Sequence, residues 1–344
     1  MQRMILALVL SLGIVLLIGP GLIRYLRKLH FGQTIYELGP AHQKKQGTPI
    51  MGGLMFITAE VVCALVLHPA GWFGGWDFAL ALLAVSLLSM LVGFLDDYTK
   101  VAKKRNLGLT PKQKIAGQVL VALAFSCYCY FSPYVGSKVM VPFVNVAWDL
   151  GWCYIPLMTL LVLFMVNSAN LQDGLDGLLG SVTSVGSIGW SMIALFMAVS
   201  AGGIATAQGS QYLSVAIFAL ALVGGTAGYL RFNYYPAKVF MGDTGSMFIG
   251  GATVGMAMLL RQPFMLLMMS FTMVLSSLSV MLQVSYFKYT KKKYGQGRRI
   301  LKMSPIHHHF EKCGMTETQI VTLYAIVTGV LSLIAVLSVW GQAI

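Results

Sequence analysis

Charged side chains are scarce in this chain: they make up 10% of its 344 residues, and only 11 of them are Asp or Glu. Hydrophobic residues make up 57%, and the mean hydropathy is +0.75. This composition excludes a soluble globular protein, in which about 25% of residues are charged. The sequence also lacks low-complexity tracts and visible repeats, and its longest loop, 288–318, is too short to form a soluble domain. Residues 1–344 are therefore predicted to form a single membrane domain.

The five cysteines show neither a disulfide framework nor the paired spacing of a zinc site. Four of them lie in apolar stretches, and the fifth, Cys313, lies in a loop. We therefore predict that all five are packing residues rather than ligands or bridges.

The chain consists largely of long apolar stretches. Ten of them approach the roughly twenty residues that a membrane-spanning helix needs, and they cover 4–23, 50–68, 76–95, 114–133, 152–168, 177–199, 211–230, 245–260, 263–287 and 319–340. The break between the eighth and the ninth depends only on Arg261, Gln262 and Pro263. Because helices satisfy their own backbone hydrogen bonds in lipid, the sequence predicts an all-α integral membrane protein with about ten transmembrane helices.

Basic residues are distributed unevenly among the loops. Loops 24–49, 96–113, 231–244 and 288–318, with Lys114 at an edge, hold 21 of the 24 Lys and Arg. The positive-inside rule places these loops in the cytoplasm and both termini outside, in the periplasm or the extracellular space. The net charge of +13 is explained by this topology, or by attraction of an anionic substrate and anionic lipids. We expect no nucleic-acid partner.

Five aspartates lie where apolar stretches meet polar loops on the predicted cytoplasmic side: Asp96, Asp97, Asp173, Asp176 and Asp243. A carboxylate near the bilayer costs several kcal/mol unless it has a partner, so such residues often mark a functional site. Together with the lysines of the same side, they predict a centre that binds a metal ion and phosphate.

Asp96 and Asp97 end the third stretch, in the sequence LDDYTK. A helix C-terminus repels negative charge, so a compensating cation is favoured over a merely polar helix end. Lys100 lies four residues from Asp96 and three from Asp97, and it partly supplies that charge. A bound divalent cation would supply more.

The other acidic motifs have simple structural alternatives. Asp243, in FMGDTGS, is either a helix N-cap or a ligand of Mg²⁺. Asp173 and Asp176, in NLQDGLDGL, are three residues apart and share a helix face, where capping is again the alternative. Gly174 between them leaves room for a ligand, and Asn170 offers an amide.

Three consecutive histidines lie in SPIHHHFEKCG, within a short helix predicted for 305–313. Successive side chains on a helix diverge, so the three cannot bind one ion. We interpret them as hydrogen-bond donors to phosphate, with Glu311 orienting His307; solvated surface histidines are the alternative. The residues from Thr316 to Gln319 predict a capping box at the start of the last span.

Two further polar features lie near the second stretch. Lys44 and Lys45 precede the glycine-rich sequence GTPIMGG, which predicts either a phosphate site or a membrane-proximal basic patch. Glu60 lies inside the stretch without an evident partner, and we expect it to face the interior of the bundle or a groove.

The motifs GTPIMGG, LDDYTK, NLQDGLDGL, FMGDTGS and PIHHHFE occur in the order and approximate spacing of one known family. From about residue 20 onward the chain resembles the bacterial phospho-N-acetylmuramoyl-pentapeptide-transferases, which are polyprenyl-phosphate N-acetylhexosamine-1-phosphate transferases. The resemblance implies Mg²⁺-dependent transfer of phospho-MurNAc-pentapeptide from UDP-MurNAc-pentapeptide to undecaprenyl phosphate, with release of UMP. It also implies a multi-pass protein of the bacterial inner membrane, an active site on the cytoplasmic face and a possible homodimer.

The resemblance also implies roles for individual residues. The catalytic residues it implies are Asp96, Asp97, Asp243, His307 and His308, with Asp243 as the metal ligand and one of the acidic pair as base or as orienter of the lipid phosphate. The substrate-binding residues it implies are Lys45, Thr48, Lys100, Lys104, Lys112, Asn170, Asp173, Gly174, Leu175, Asp176, Asn233, Phe240 and Gln283. The uridine end is expected between the NLQDGLDGL motif and the pair Asn233 and Phe240.

One position departs from the pattern, because Ile50 stands where threonine is commoner in GTPTMGG. The choice between Lys44 and Lys45 is also open. Three alternatives remain at this point: a sister enzyme with another UDP-N-acetylhexosamine, a secondary transporter and an intramembrane aspartyl protease. The one-sided acids disfavour a transporter, whose site lies near the bilayer midplane. A protease would need a second aspartate inside a span.

Overall fold

The computed structural model describes residues 1–29, 47–67, 77–103, 108–144 and 146–343. The described chain is helical apart from one short hairpin. Its elements are α1 (Gln2–Lys28), α2 (Leu54–Val66), α3 (Phe78–Ala102), α4 (Pro111–Phe131), β1 (Lys138–Val141), β2 (Val146–Asp149), α5 (Tyr154–Gln172), α6 (Leu178–Ser200), α7 (Ala207–Asn233), α8 (Gly242–Leu259), α9 (Pro263–Met269), α10 (Phe271–Tyr294), α11 (Ile306–Lys312) and α12 (Glu317–Ala343).

Seven of these helices are long and apolar enough to cross a membrane, namely α1, α3, α4, α5, α6, α7 and α12. Helices α9 and α10 meet at a bend of 80° and would make an eighth span if they are counted together. Helix α2 has only 13 residues, or about 20 Å at 1.5 Å per residue, against a hydrocarbon core of about 30 Å. The fold is therefore that of a multi-pass helical membrane protein with seven or eight supported spans, fewer than the ten predicted.

The structure corrects the sequence-based elements at three places. Helix α3 continues to Ala102 rather than ending before Asp96, because the amphipathic last turns carry the charges that pair with each other. The stretch 263–287 is broken at Ser270 into α9 and α10. The strands β1 and β2 form an antiparallel hairpin, so the chain is not entirely α.

Helix α8 lies at the centre of the bundle. Every residue from Thr244 to Leu259 is buried, which is typical of a helix that is apolar on all sides. Its glycines permit close contact with its neighbours: Gly251 lies against Ser89 of α3, and Gly250 lies against Val166 of α5. Small residues at a helix crossing let two backbones approach closely. Helix α8 therefore packs closely against α3 and α5, with its first turn at the end of the bundle where α3 ends.

Glu60 faces the interior of the bundle, as predicted. Its side chain is fully buried in α2, and neither carboxylate oxygen has a hydrogen-bond partner in the described part of the chain. An unpaired ionised carboxylate is very costly in such surroundings. All five cysteines are free, but Cys153 and Cys313 are exposed, so the prediction that all five are packing residues is wrong for these two.

Candidate active site

Three aspartates meet at one end of the bundle. Asp96 and Asp97 lie in the last turns of α3, and Asp243 lies in the first turn of α8. One carboxylate oxygen of each lies within 4.8 Å of the others. We call these residues the acidic trio. Clustered carboxylate oxygens fit Mg²⁺, a hard cation that takes one or two carboxylates and completes its shell with water and phosphate.

Two lysines pair with the acidic trio. Lys100 Nζ lies 2.6 Å from Asp96 Oδ2, 3.4 Å from Asp97 Oδ1 and 3.3 Å from Asp243 Oδ2. Lys114 Nζ, in the first turns of α4, lies 2.7 Å from Asp243 Oδ2. Among the described residues, two positive charges face three negative ones, so these two lysines by themselves do not neutralise the trio. The cluster can therefore accept a further cation and still present ammonium groups to a phosphate.

Asp97 also caps the start of α8. Its Oδ2 accepts hydrogen bonds from the backbone nitrogen of Thr244, at 2.9 Å, and from Thr244 Oγ1, at 2.7 Å. Gly242 makes this approach possible, because it has a positive φ of 75° and a Cβ there would lie 2.6 Å from Asp97 Oδ2. Asp97 thus has a structural function whatever its chemical one.

Asn170 connects α5 with the acidic trio. Its Nδ2 donates to Asp243 Oδ1 and to Ser246 Oγ, both at 2.9 Å. Asp243 is therefore oriented from three helices, α3 through Lys100, α4 through Lys114 and α5 through Asn170. Asn170 thus contacts a carboxylate of the acidic trio, and its predicted contact with a substrate stays a prediction.

The histidine motif lies against Gly174. Helix α11 presents His307 and His308 to this glycine: a Cβ at Gly174 would clash with His307 Nε2 and would lie 3.1 Å from His308 Nε2. The room that Gly174 leaves is thus occupied by imidazole rings. His308 Nδ1 lies 3.0 Å from Glu311 Oε2, so Glu311 orients His308. The sequence had suggested His307 as its partner, and that prediction is wrong.

His307 is fully buried, and its two ring nitrogens have no hydrogen-bond partner in the described part of the chain. Burial, helped by the neighbouring His308, lowers the pKa of His307 from 6.5 to about 3. The ring is therefore neutral at physiological pH, and one nitrogen donates while the other accepts. A buried ring with both nitrogens free is suited to receive a polar ligand.

Asp173 follows α5 and lies close to the other acids. Burial, together with repulsion from Asp243, Asp97 and Asp176, raises the pKa of Asp173 from 3.8 to about 8. Without a cation nearby this carboxyl is therefore largely protonated at neutral pH.

This shifted pKa predicts a pH-dependent stability. Between about pH 4 and pH 8 Asp173 keeps a proton in the folded protein that it has released in the unfolded chain. Its contribution to the free energy of unfolding is therefore complete below about pH 4 and is lost progressively up to about pH 8. Asp173→Asn cannot titrate, so we expect its thermal midpoint to rise relative to wild type over this interval. The measurement is a melting series in detergent with a chelator. A constant difference across the series would contradict the raised pKa.

Asp176 and Asn233 hold two loops together. Asp176 Oδ2 accepts from the backbone nitrogen of Ala237 at 3.0 Å. Asn233 accepts from Gly177 at 3.0 Å and donates to the carbonyl of Val239 at 2.9 Å. These bonds attach the loop after α7 to the loop after α5. Both residues therefore stabilise the loops at which the nucleoside is predicted to bind. Their contact with a substrate stays a prediction.

Gln283 of α10 holds the segment that leads to α11. Its Oε1 accepts from the backbone nitrogens of Ile300 and Leu301, both at 3.0 Å, and its Nε2 donates to the carbonyl of Leu301. His309 accepts from the backbone nitrogen of Lys302 at 3.1 Å, so it faces this segment and not Gly174. The three histidines are thus inequivalent, as predicted.

The glycine-rich GTPIMGG segment packs against the start of α8. Gly52 donates to the carbonyl of Phe240, and Gly53 lies against Gly245, where a Cβ would clash. The space at these glycines is taken by backbone, which shows a packing function for the turn. Thr48 and the ring of Phe240 are partly exposed beside it.

Five predicted residues have no described contact with this cluster. Lys44, Lys45 and Lys104 lie outside the described residues. Lys112 is exposed in the first turn of α4, and Leu175 is buried as part of the core. Their roles in substrate binding stay predictions.

Four residues that no sequence motif singled out as site residues also contact this cluster or Asp176: Lys114, Thr244, Ser246 and Glu317. Glu317 Oε2 accepts from the backbone nitrogen of Asp176 at 3.3 Å. Lys114 had a usable signal, because it is the first charge inside a predicted span and a charge there needs a partner. The other three contacts depend on helix placement, which no local pattern reveals.

The chain is similar to known proteins over most of its length. Residues 79–261 match glycosyl transferase family 4. The chain is 41% identical over 331 residues to the phospho-N-acetylmuramoyl-pentapeptide-transferase of Thermoanaerobacter sp. (strain X514), covering 95% of this chain and 96% of that protein. It is 42% identical over 323 residues to the protein of that name from Heliobacterium modesticaldum, covering 93% of each. The Bacillus thuringiensis (strain Al Hakam) protein of the same name is 40% identical over 97% of this chain and 98% of its own.

Proposed function

The chain belongs to glycosyl transferase family 4 and to the phospho-N-acetylmuramoyl-pentapeptide-transferases, and we propose that it transfers phospho-MurNAc-pentapeptide from UDP-MurNAc-pentapeptide to undecaprenyl phosphate. The products are UMP and undecaprenyl-diphospho-MurNAc-pentapeptide, or lipid I, a precursor of peptidoglycan. The observation that carries the proposal is the junction of the acidic trio with Lys100 and Lys114 at one end of a membrane bundle. A water-soluble polyanion and an anionic lipid can meet only where the bilayer ends.

The reaction needs positioning and charge neutralisation more than covalent help from the protein. An oxygen of the lipid phosphate forms a new bond to the phosphorus attached to the sugar, the bond to the UMP oxygen breaks, and UMP leaves. Mg²⁺, held by Asp243 with Asp96 or Asp97, would neutralise phosphate charge. Lys100 and Lys114 are placed to pair with phosphate oxygens, and Asp97 to orient the acceptor or to act as base. A direct displacement and a phospho-aspartate intermediate both fit this arrangement.

The proposed placement of the substrates follows the contacts around the trio. The nucleoside end lies toward Asp173, Gly174 and Asp176, with Asn233 and Phe240 beyond them. Neutral His307 and His308 offer ring nitrogens next to Gly174, where they can hydrogen-bond to a phosphate or a sugar. Lys45, Thr48, Lys104, Lys112 and Gln283 complete the proposed substrate-binding set.

The decisive experiment is an assay for UMP release. Purified protein is incubated with UDP-MurNAc-pentapeptide, undecaprenyl phosphate and Mg²⁺, and reactions without lipid or with a chelator are the controls. We expect UMP only in the complete mixture. UDP-N-acetylglucosamine in place of the donor tests the sister activity. If monodisperse, folded protein releases no UMP, the proposal fails.

The histidines give a second test of the site. His307→Ala and His308→Ala should lower kcat about 100-fold or more, because they remove rings that face Gly174. His309→Ala is the matched control on the same helix, and it should keep activity within a few-fold, since His309 faces the segment at Lys302. Steady-state UMP release measures all three. Equal losses in all three variants would show that α11 is only structural.

We also propose ten spans with both termini outside and the active site in the cytoplasm of the bacterial inner membrane. Cysteine should be labelled from outside at position 138 but only after permeabilisation at positions 103 and 298, because positive loops stay inside. The native exposed residues Cys153 and Cys313 are first replaced by serine. Labelling in the reverse pattern would invert this topology. A homodimer is a further proposal, which the mass of the detergent-free particle would test.

A further inference from the structure

The hairpin of β1 and β2 lies at the end of the bundle opposite the acidic trio. Helix α4 begins near the trio, with Lys114 bound to Asp243, and ends at Phe131, from which the chain enters the hairpin. The hairpin returns through Trp152 into α5. It therefore lies at the other boundary of the membrane and takes no part in the proposed chemistry.

Strand β2 carries large apolar side chains that remain uncovered. Val146 and Trp148 are 51% and 59% exposed, and they share one face because they are two residues apart. On its inner side Trp148 pairs across the sheet with buried Val139, and its ring lies 6.3 Å from that of Phe264. These contacts leave more than half of the Trp148 side chain exposed.

Two described residues at the tip of the hairpin are apolar and exposed, and the backbone is strained at the first of them. Phe143 has a φ of 67°, a conformation that bulky residues rarely adopt, and it is 63% exposed. Val144 beside it is 60% exposed. A bulky residue in this strained conformation thus presents its apolar side chain outward, next to a second exposed apolar side chain.

We propose that Phe143, Val144, Val146, Trp148 and Trp152, which we call the hairpin surface, insert into the boundary between lipid headgroups and acyl chains. Trp152 is 73% exposed and stacks on Tyr130, which is the placement expected of tryptophan at a membrane interface. A surface of this kind would be unfavourable in water.

Continuity with the lipid-facing helices favours lipid over a protein partner. Exposed apolar side chains lead from the hairpin surface onto three helices, with Phe131 on α4, Leu157 and Leu160 on α5, and Phe264 on α9. Exposed apolar side chains thus lie on these three helices near the ends that adjoin the hairpin. Exposed Lys138, on β1, can extend its ammonium group toward the headgroups.

The hairpin is hydrogen-bonded to the turn that follows α8. The backbone nitrogen of Met140 donates to the carbonyl of Arg261 at 2.9 Å, and Arg261 Nε donates to the carbonyl of Lys138 at 3.1 Å. Anchoring the hairpin in lipid therefore fixes the end of α8 that lies opposite Asp243. This inference is independent of the proposed reaction.

Tryptophan fluorescence of the full chain in lipid nanodiscs tests the anchor. The emission of Trp148 is obtained by subtracting the spectrum of the Trp148→Phe variant from that of wild type. The emission of Trp152 is obtained in the same way with Trp152→Phe. Phosphatidylcholine brominated near the headgroup should quench both signals at least twofold. Acrylamide in the water should quench them at least threefold less than it quenches free N-acetyltryptophanamide. Efficient acrylamide quenching without bromolipid quenching in both signals would overturn the proposal.

A tip variant separates insertion from simple proximity. Val144→Asp puts a charge on the tip and should reduce bromolipid quenching of Trp148 at least twofold, whereas Val144→Ile, the matched control, should leave it unchanged. Circular dichroism confirms folding, and Trp152 provides a second signal if Trp148→Phe misfolds. Equal quenching in both tip variants would exclude insertion of the tip. If the two tryptophans are protected from acrylamide only in discs that hold two copies of the protein, a second copy covers this face and the proposal is overturned.

Discussion

Replacement of Asp243 by asparagine should lower turnover by about three powers of ten, which corresponds to about 4 kcal/mol of transition-state stabilisation. The amide keeps the shape of the side chain and can still accept from Asn170, but it removes the negative charge that pairs with Lys114 and would hold Mg²⁺. Steady-state UMP release at several Mg²⁺ concentrations measures the effect. Raised Mg²⁺ should restore part of the lost activity, because metal affinity is what the variant loses.

Asp149→Asn is the matched control for this variant. It makes the same chemical change at an exposed carboxylate on β2, at the opposite end of the bundle, and should leave turnover unchanged. Size-exclusion chromatography and a melting curve confirm that both variants fold. Turnover of Asp243→Asn near that of wild type would remove this residue from the site.

Asp97→Asn should also abolish most turnover, by about two to three powers of ten, but raised Mg²⁺ should not restore it. The expected cause is loss of the charge that orients the acceptor phosphate or serves as base. Asp97 also caps α8, so a loss of activity could come from a displaced helix. The variant therefore needs a control that weakens the cap and leaves the carboxylate.

Thr244→Val is that control. It removes the hydroxyl that donates to Asp97 Oδ2 at 2.7 Å and keeps both the backbone bond and the carboxylate charge. If Asp97 acts chemically, Thr244→Val should lower the melting temperature yet retain activity within about tenfold. Equal losses of activity in the two variants would mean that Asp97 contributes only by capping α8.

Much of the fold was predictable from local composition. Each of the ten apolar stretches contains a helix, and the capping box between Thr316 and Gln319 is present, with a 2.9 Å bond from the backbone nitrogen of Thr316 to Gln319 Oε1. Helix ends were less predictable where charges pair within the helix. At Asp96 the sequence predicted an end, but the i,i+4 bond to Lys100 belongs to a helix that continues.

The partners of the polar residues were less accessible to sequence reasoning. Glu311 was assigned to His307 by a spacing of four residues, yet it pairs with His308 at a spacing of three, because both spacings place side chains on one helix face. Gly174 was expected to admit a ligand, and the structure fills that space with two imidazoles from a segment about 130 residues away along the chain. Spacing limits the possible partners, and packing selects among them.

The sequence by itself determined that this is a helical membrane protein with its acids and most of its cations at span ends, and its motifs identified the family. These properties depend on composition, on local hydropathy and on short motifs, which need no knowledge of the rest of the chain. Only the tertiary structure decided that α8 is the central helix, that Asp97 caps it and that Lys114 pairs with Asp243. Each of these contacts joins segments more than a hundred residues apart, and the close approach of α3, α4, α5 and α8 alone brings them together.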